Sequence, residues 1–133
     1  METPAPTVRL LMRLGYWSVW HGLHAEAAVL FSGAQAARPA SEVPILGMAV
    51  LAIVMNQPGH AVELLRQAST AASNELIDVH QGCALRLMGE ETAGMEILQR
   101  VANAGQSPDA RQMAANLATL GTEQLHPQLA KIL

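Results

Sequence analysis

Three things are scarce in this chain of 133 residues: it has one cysteine, four aromatic residues (two Trp, one Tyr, one Phe) and only 14% charged residues. The lone Cys83 has no intramolecular disulfide partner, and a small disulfide-free chain fits a reducing compartment, so a cytoplasmic location is expected. A charged fraction well below the roughly 25% of ordinary globular chains leaves apolar surface, which a partner is expected to cover. The net charge is −3 and the eight basic residues are scattered from Arg9 to Lys131, which gives nucleic acid no basic stripe to follow. Long hydrophobic runs are missing too. The longest charge-free apolar stretch, 43–55, falls short of the roughly 20 residues of a membrane span and stops at Asn56-Gln57-Pro58-Gly59. It reads as a buried helix, with no membrane insertion expected. The opening Met1-Glu2-Thr3-Pro4-Ala5-Pro6 holds an acid and two prolines where a signal peptide carries basic residues and then an apolar run, so export by that route is not expected.

What is present is helical periodicity. Half of the residues are hydrophobic, they recur at three- and four-residue spacing, and no segment alternates as a half-buried strand does. The chain is therefore expected to be all-α and a single domain, with helices near 6–20, 24–37, 42–55, 58–71, 75–88, 91–104 and 108–120. Leu11, Leu14-Gly15, Ala27, Phe31 and Pro39 stand at the spacings of the tetratricopeptide pattern, a helix, a turn and an antiparallel helix. Gly15 and Ala27 let two helices approach, Phe31 fills the space toward the next unit, and Pro39 ends the second helix. A step of 34 residues carries Gly15 to Ala49, Ala27 to Ala61 and Phe31 to Leu65, and a further 33 reaches Gly82, Gly94 and Leu98. The turn positions become Gly22, Asn56 and Gly89, all suited to a left-handed backbone.

Three repeats follow, at about 8–41, 42–74 and 75–107, forming a right-handed superhelix. A capping helix at 108–120, started by Pro108 and Asp109, closes the stack, and a tail over 121–133 adds at most a turn or two because Pro127 interrupts it. The second and third units are degenerate: Ser18 and Ala52 replace the usual tyrosine, and Ser73 and Gln106 the proline. An unrelated helical bundle with the same small-residue spacing is the competing fold.

In such a superhelix the first helix of each unit lines the concave side. Matching positions give Met12, Tyr16 and Val19, then Leu46, Val50 and Ile53, then Val79, Cys83 and Arg86. This face is almost wholly apolar and suits the apolar stripe of an amphipathic helix. With Arg9, Arg13 and Arg86 as its only nearby cations, it is a poor clamp for a highly charged carboxyl-terminal tail. On this basis Leu46→Asp or Val50→Asp is expected to abolish binding. The competing reading is that these residues pack on the protein's own tail or on a second copy, with self-association when the chain is alone. Trp17 and Trp20 lie about 300° apart around their helix, on neighbouring faces, so only one need be core and the other can mark a docking site.

Chemistry-bearing residues are sparse. His21 and His24, with Glu26 nearby, lack the order of a zinc-protease motif and any obvious further ligand. His60, His80 and His126 are isolated and read as cap or surface residues. Cys83 sits on an apolar helix face, three residues beyond His80, with no recognisable acid or oxyanion donor. Neither a phosphate-binding glycine loop nor a dinucleotide fingerprint is present. No enzyme activity, metal or cofactor is expected.

The stretch Cys83-Ala84-Leu85-Arg86-Leu87-Met88-Gly89, followed by Gln106-Ser107-Pro108-Asp109-Ala110-Arg111, resembles the third repeat and capping-helix start of the small tetratricopeptide chaperones of bacterial type III secretion. The YscG-like class that guards the needle subunit is the most similar, and the amino-terminal helix and His24-Ala25-Glu26-Ala27 resemble it too. The resemblance runs over about 8–120 as pattern and scattered identities. It implies a bacterial cytoplasmic chaperone without catalytic activity. Such a protein holds the carboxyl-terminal amphipathic helix of the needle subunit in its groove, prevents premature polymerisation, and works with a small helical co-chaperone. The proline-containing start and the extra tail depart from that class. A translocator chaperone, normally longer, or a plant-pathogen-type tetratricopeptide component is a related reading, and a generic interaction scaffold is the broader one.

Overall fold

The computed structural model describes residues 3–69, 75–121 and 124–125. These form seven α-helices and no strand: α1 (Ala5–Trp20), α2 (His24–Ala37), α3 (Val43–Val54), α4 (Pro58–Ser69), α5 (Glu75–Leu87), α6 (Glu91–Ala104) and α7 (Pro108–Ala118). Among the described residues the all-α expectation holds, and apart from the end of α4 each helix boundary lies within two residues of the one read from the sequence. The expected end of α4 at 71 and the tail over 126–133, with Pro127, lie outside the described residues. Proline stands in the first two positions of α1, α3 and α7, where its missing N–H costs no intrahelical bond. At α7 the Ser107 hydroxyl accepts from the Ala110 N–H at 3.3 Å and completes the start.

Three turns share one hydrogen-bond scheme. Gly22, Asn56 and Gly89 are the positive-φ residues among those described, at 74°, 59° and 89°. After α1 the Leu23 N–H reaches Ser18 O at 2.8 Å and the Gly22 N–H reaches Val19 O at 3.2 Å. After α3 the same bonds run from Gln57 to Ala52 and from Asn56 to Ile53, and after α5 from Glu90 to Leu85 and from Gly89 to Arg86. This is the Schellman termination, which needs a left-handed residue just past the helix. Each three-residue connection folds the next helix back, giving the hairpins α1–α2, α3–α4 and α5–α6.

The hairpins pack side by side in two layers. α1, α3, α5 and α7 touch in succession, and α2, α4 and α6 each bridge from their own hairpin partner to the next odd helix. Small residues set the spacing. The Phe31 ring lies against both Gly15 of α1 and Gly47 of α3, where a Cβ on either glycine would overlap it. At the α5–α6 crossing Gly82 and Gly94 face each other, with Leu98 beside them. The repeat-equivalent residues Ala27, Ala61, Phe31, Leu65 and Leu98 are all fully buried. One core cluster joins Phe31 and Val19 of the first hairpin to Leu51 of α3, and a second runs from α3 to α7.

Candidate functional site

The nine residues assigned to a concave groove do not form an open trough. Val19, Leu46, Val50, Ile53, Val79, Cys83 and Arg86 are buried in the folded chain. The reason is geometric. α3 and α5 are each packed between two even-numbered helices and also touch the odd-numbered helices on either side, so these positions fall within the chain's own core. Met12 is as buried as Leu46 and Tyr16 is half-buried, yet both line an open pocket where α1 meets the α2–α3 connection.

That pocket has a volume of about 440 Å³. Val8, Met12 and Tyr16 of α1 and Val43 at the start of α3 supply its apolar wall, and Arg9, Arg13 and Arg38 also line it. Val43 is exposed and Met12 is nearly covered. Tyr16 is held by edge-on packing against Phe31, with ring centroids 5.2 Å apart, and burial pushes its hydroxyl up to about 12. The phenol therefore stays neutral at physiological pH. Among the described residues, Arg9, Arg13 and Arg38 form no ion pair.

A second surface lies on the outer side of α1. Leu10, Leu14 and Trp17, at spacings of four and three, stand 54%, 43% and 52% exposed. The repeat register carries Leu10 to Pro44 and Ile77, and Trp17 to Leu51 and Ala84, all of which are buried. Leu14 becomes Met48 and Gln81, both half-buried. At the corresponding positions of α3 and α5 the chain is thus buried or half-buried where α1 stands exposed. Trp20, by contrast, packs on the first core cluster, so the two tryptophans divide between core and surface as their neighbouring faces allow. His21 stacks on Trp17 with centroids 4.0 Å apart, and its Nδ1–H donates to the Trp17 carbonyl at 2.8 Å.

Two features were not legible in the sequence. Arg86, assigned to a ligand groove, is a buried structural clamp. Its Nη1 donates to Leu117 O at 2.8 Å, its Nη2 to Leu120 O at 2.6 Å, and its Nε to Glu91 Oε1 at 3.0 Å. Carbonyls at the end of α7 thereby gain a cationic partner, the favourable sign for a helix carboxyl terminus. Glu75, at the start of α5, accepts from the backbone N–H groups of Gln106 and Ser107 at 2.7 and 3.2 Å and fixes the loop into α7. Both contacts span about thirty positions, and local spacing carries no trace of such partners.

The reactive side chains lie in inert settings. Burial pushes the Cys83 thiol up to about 12 despite the opposing pull of Arg86, so no thiolate is available near neutrality. Burial lowers the His80 pKa, partly offset by the bond its Nδ1–H donates to Leu76 O at 2.6 Å. Among the described residues, no three His, Cys, Asp or Glu side chains gather as a metal site would need. No helix among them is long and apolar enough to cross a membrane. Searches against models of known protein families and against curated proteins find no match to this chain.

Proposed function

We propose that this protein is a tetratricopeptide-like chaperone of bacterial type III secretion, acting in the cytoplasm. In this reading it binds an amphipathic helix of the needle subunit and keeps that subunit from polymerising early. A small helical co-chaperone covers the outer face of its first helix. The single observation that carries the reading is the exposed ridge Leu10–Leu14–Trp17, whose repeat equivalents are buried or half-buried. A repeat stack whose first unit shows its packing face needs a cap, and a partner helix supplies one in the same geometry that the chain uses internally. The three matching turns, in a register of 34 and 33 residues, support the repeat architecture on which this depends.

The client's place moves from the full length of the inner layer to its first end. There Met12, Tyr16 and Val43 leave an apolar pocket, while the α3 and α5 positions are occupied by the chain's own packing. A client helix seated there is sequestered by burying its apolar stripe, and reversibility follows from the modest area involved.

The test is co-expression with the proteins encoded beside this chain in a secretion operon, followed by affinity capture through the chaperone. A needle subunit and a small helical protein retained together support the reading. Capture of neither, by a folded chain, refutes it.

A further inference from the structure

We infer that the client segment carries carboxylates beside its apolar stripe, and that Arg9, Arg13 and Arg38 recognise them around the pocket walled by Val8, Met12 and Tyr16. The inference rests on the proposed client binding and names the chemistry by which the client is selected. Three of the chain's eight basic residues line this one pocket although the net charge is −3, and among the described residues no acidic one lines it. They come from separate places: Arg9 and Arg13 lie one turn apart on α1, and Arg38 follows the last residue of α2. Their convergence is therefore a product of the fold.

None of the three has an acidic partner among the described residues. Arg38 makes only a long contact, 3.5 Å, from its Nη1 to the carbonyl of Ala37. The other buried or paired cations are already committed, Arg86 to Glu91 and two carbonyls, and Arg66 to Glu63. An occupant pressed against Val8, Met12 and Val43 excludes water from the guanidinium groups at the rim. With a neutral occupant they lose hydration and gain nothing, and with a cationic one they are repelled. A carboxylate restores the lost hydrogen bonds, and the planar guanidinium accommodates it through two N–H donors. The occupant that satisfies both wall and rim is a polypeptide segment whose aliphatic anchors are flanked by Glu or Asp. A segment of this kind places both groups on one helical face at three- and four-residue spacing.

The test is fluorescence anisotropy on the full chain at low and at 0.5 M salt, on the order of the concentration that screens exposed charges. Two labelled synthetic amphipathic helices share a leucine stripe and differ only in flanking residues, Glu in one and Lys in the other. The Glu peptide is expected to bind about tenfold tighter at low salt, with the margin shrinking at high salt. In Arg9→Glu/Arg38→Glu the preference reverses. If that variant is misfolded by circular dichroism, Arg13→Gln, at an exposed position, is expected to narrow the margin alone. Equal binding of both peptides, or an unchanged preference in the folded variants, overturns the inference and leaves the pocket standing as the client site. Failure of both peptides to bind overturns the client reading and this inference with it. Binding of free decanoate with neither peptide identifies a small-molecule pocket and also overturns it.

Discussion

The Arg86 guanidinium donates to the carbonyl of Leu120 across 2.6 Å, and so ties the fifth helix to the end of the seventh. Because Arg86 is nearly fully buried and also holds Leu117 O and Glu91, its removal strands several groups at once. Arg86→Met is expected to cost about 2–3 kcal/mol in urea unfolding, the range for removing charge-assisted hydrogen bonds from buried carbonyls, because the Glu91 carboxylate is half exposed and regains water. Amide exchange should accelerate most in α7. A loss below about 1 kcal/mol, with α7 unchanged, would mean that the clamp contributes little.

Gly47→Ala should destabilise by about 1–3 kcal/mol, since the added Cβ overlaps the Phe31 ring and the core must shift. Phe31→Leu also destabilises alone. In the double variant the smaller side chain makes room, so the two costs should sum to more than the measured total. Simple additivity would show that ring and glycine do not share the strain.

Much of this architecture was readable because it is local. Helix boundaries follow from proline starts, three- and four-residue periodicity, and left-handed turn residues at Gly22, Asn56 and Gly89, all of which stand at the expected positions. Phe31 and Gly15 were both visible as packing positions, but the reading paired Gly15 with Ala27 and sent Phe31 toward the next unit, where it meets Gly47 while also lying on Gly15. The open surface was not readable. Assigning Val50 or Val79 to a groove used position within a repeat, but whether such a face meets solvent or a neighbouring helix depends on how closely the hairpins stack. Val50 is 1% exposed, so Val50→Asp is now expected to unfold the chain, and it no longer tests client binding. Arg38 escaped notice because only the turn after α2 brings it to the α1 cations.

Stability should fall above about pH 9 and below about pH 6.5. Cys83 and Tyr16 ionise near 9 and 10 when the chain is unfolded but are pushed up to about 12 when it is folded. The unfolded state therefore binds fewer protons between pH 9 and 12, and stability drops as pH rises through that window. His80 has the opposite sense. Its folded pKa is lowered, so the stabilising contribution is present above the unfolded value of about 6.5 and is lost as pH falls. Urea midpoints from pH 5 to 10.5 test both limbs. Cys83→Ala should flatten the alkaline limb and His80→Gln the acid limb, and unchanged slopes in these variants would contradict the assignments.

Trp17→Glu should leave the thermal midpoint almost unchanged, because the side chain is half exposed and belongs to neither core cluster. The same variant should lose the helical co-chaperone in a pull-down. Trp20→Glu, on the buried side, should instead lower the melting temperature by several degrees. Retention of the co-chaperone by folded Trp17→Glu would place its contact elsewhere.

The central claim is that the bare ridge on α1 is covered by a partner helix that completes the stack. Light scattering coupled to size-exclusion chromatography measures this directly, on the chain alone, co-expressed with its operon neighbours, and as Leu14→Asp under the same co-expression. A heteromeric mass that appears only with the neighbours, and disappears in folded Leu14→Asp, is the predicted result. A stable monomer in all three samples, or a heteromer indifferent to Leu14→Asp, would contradict it.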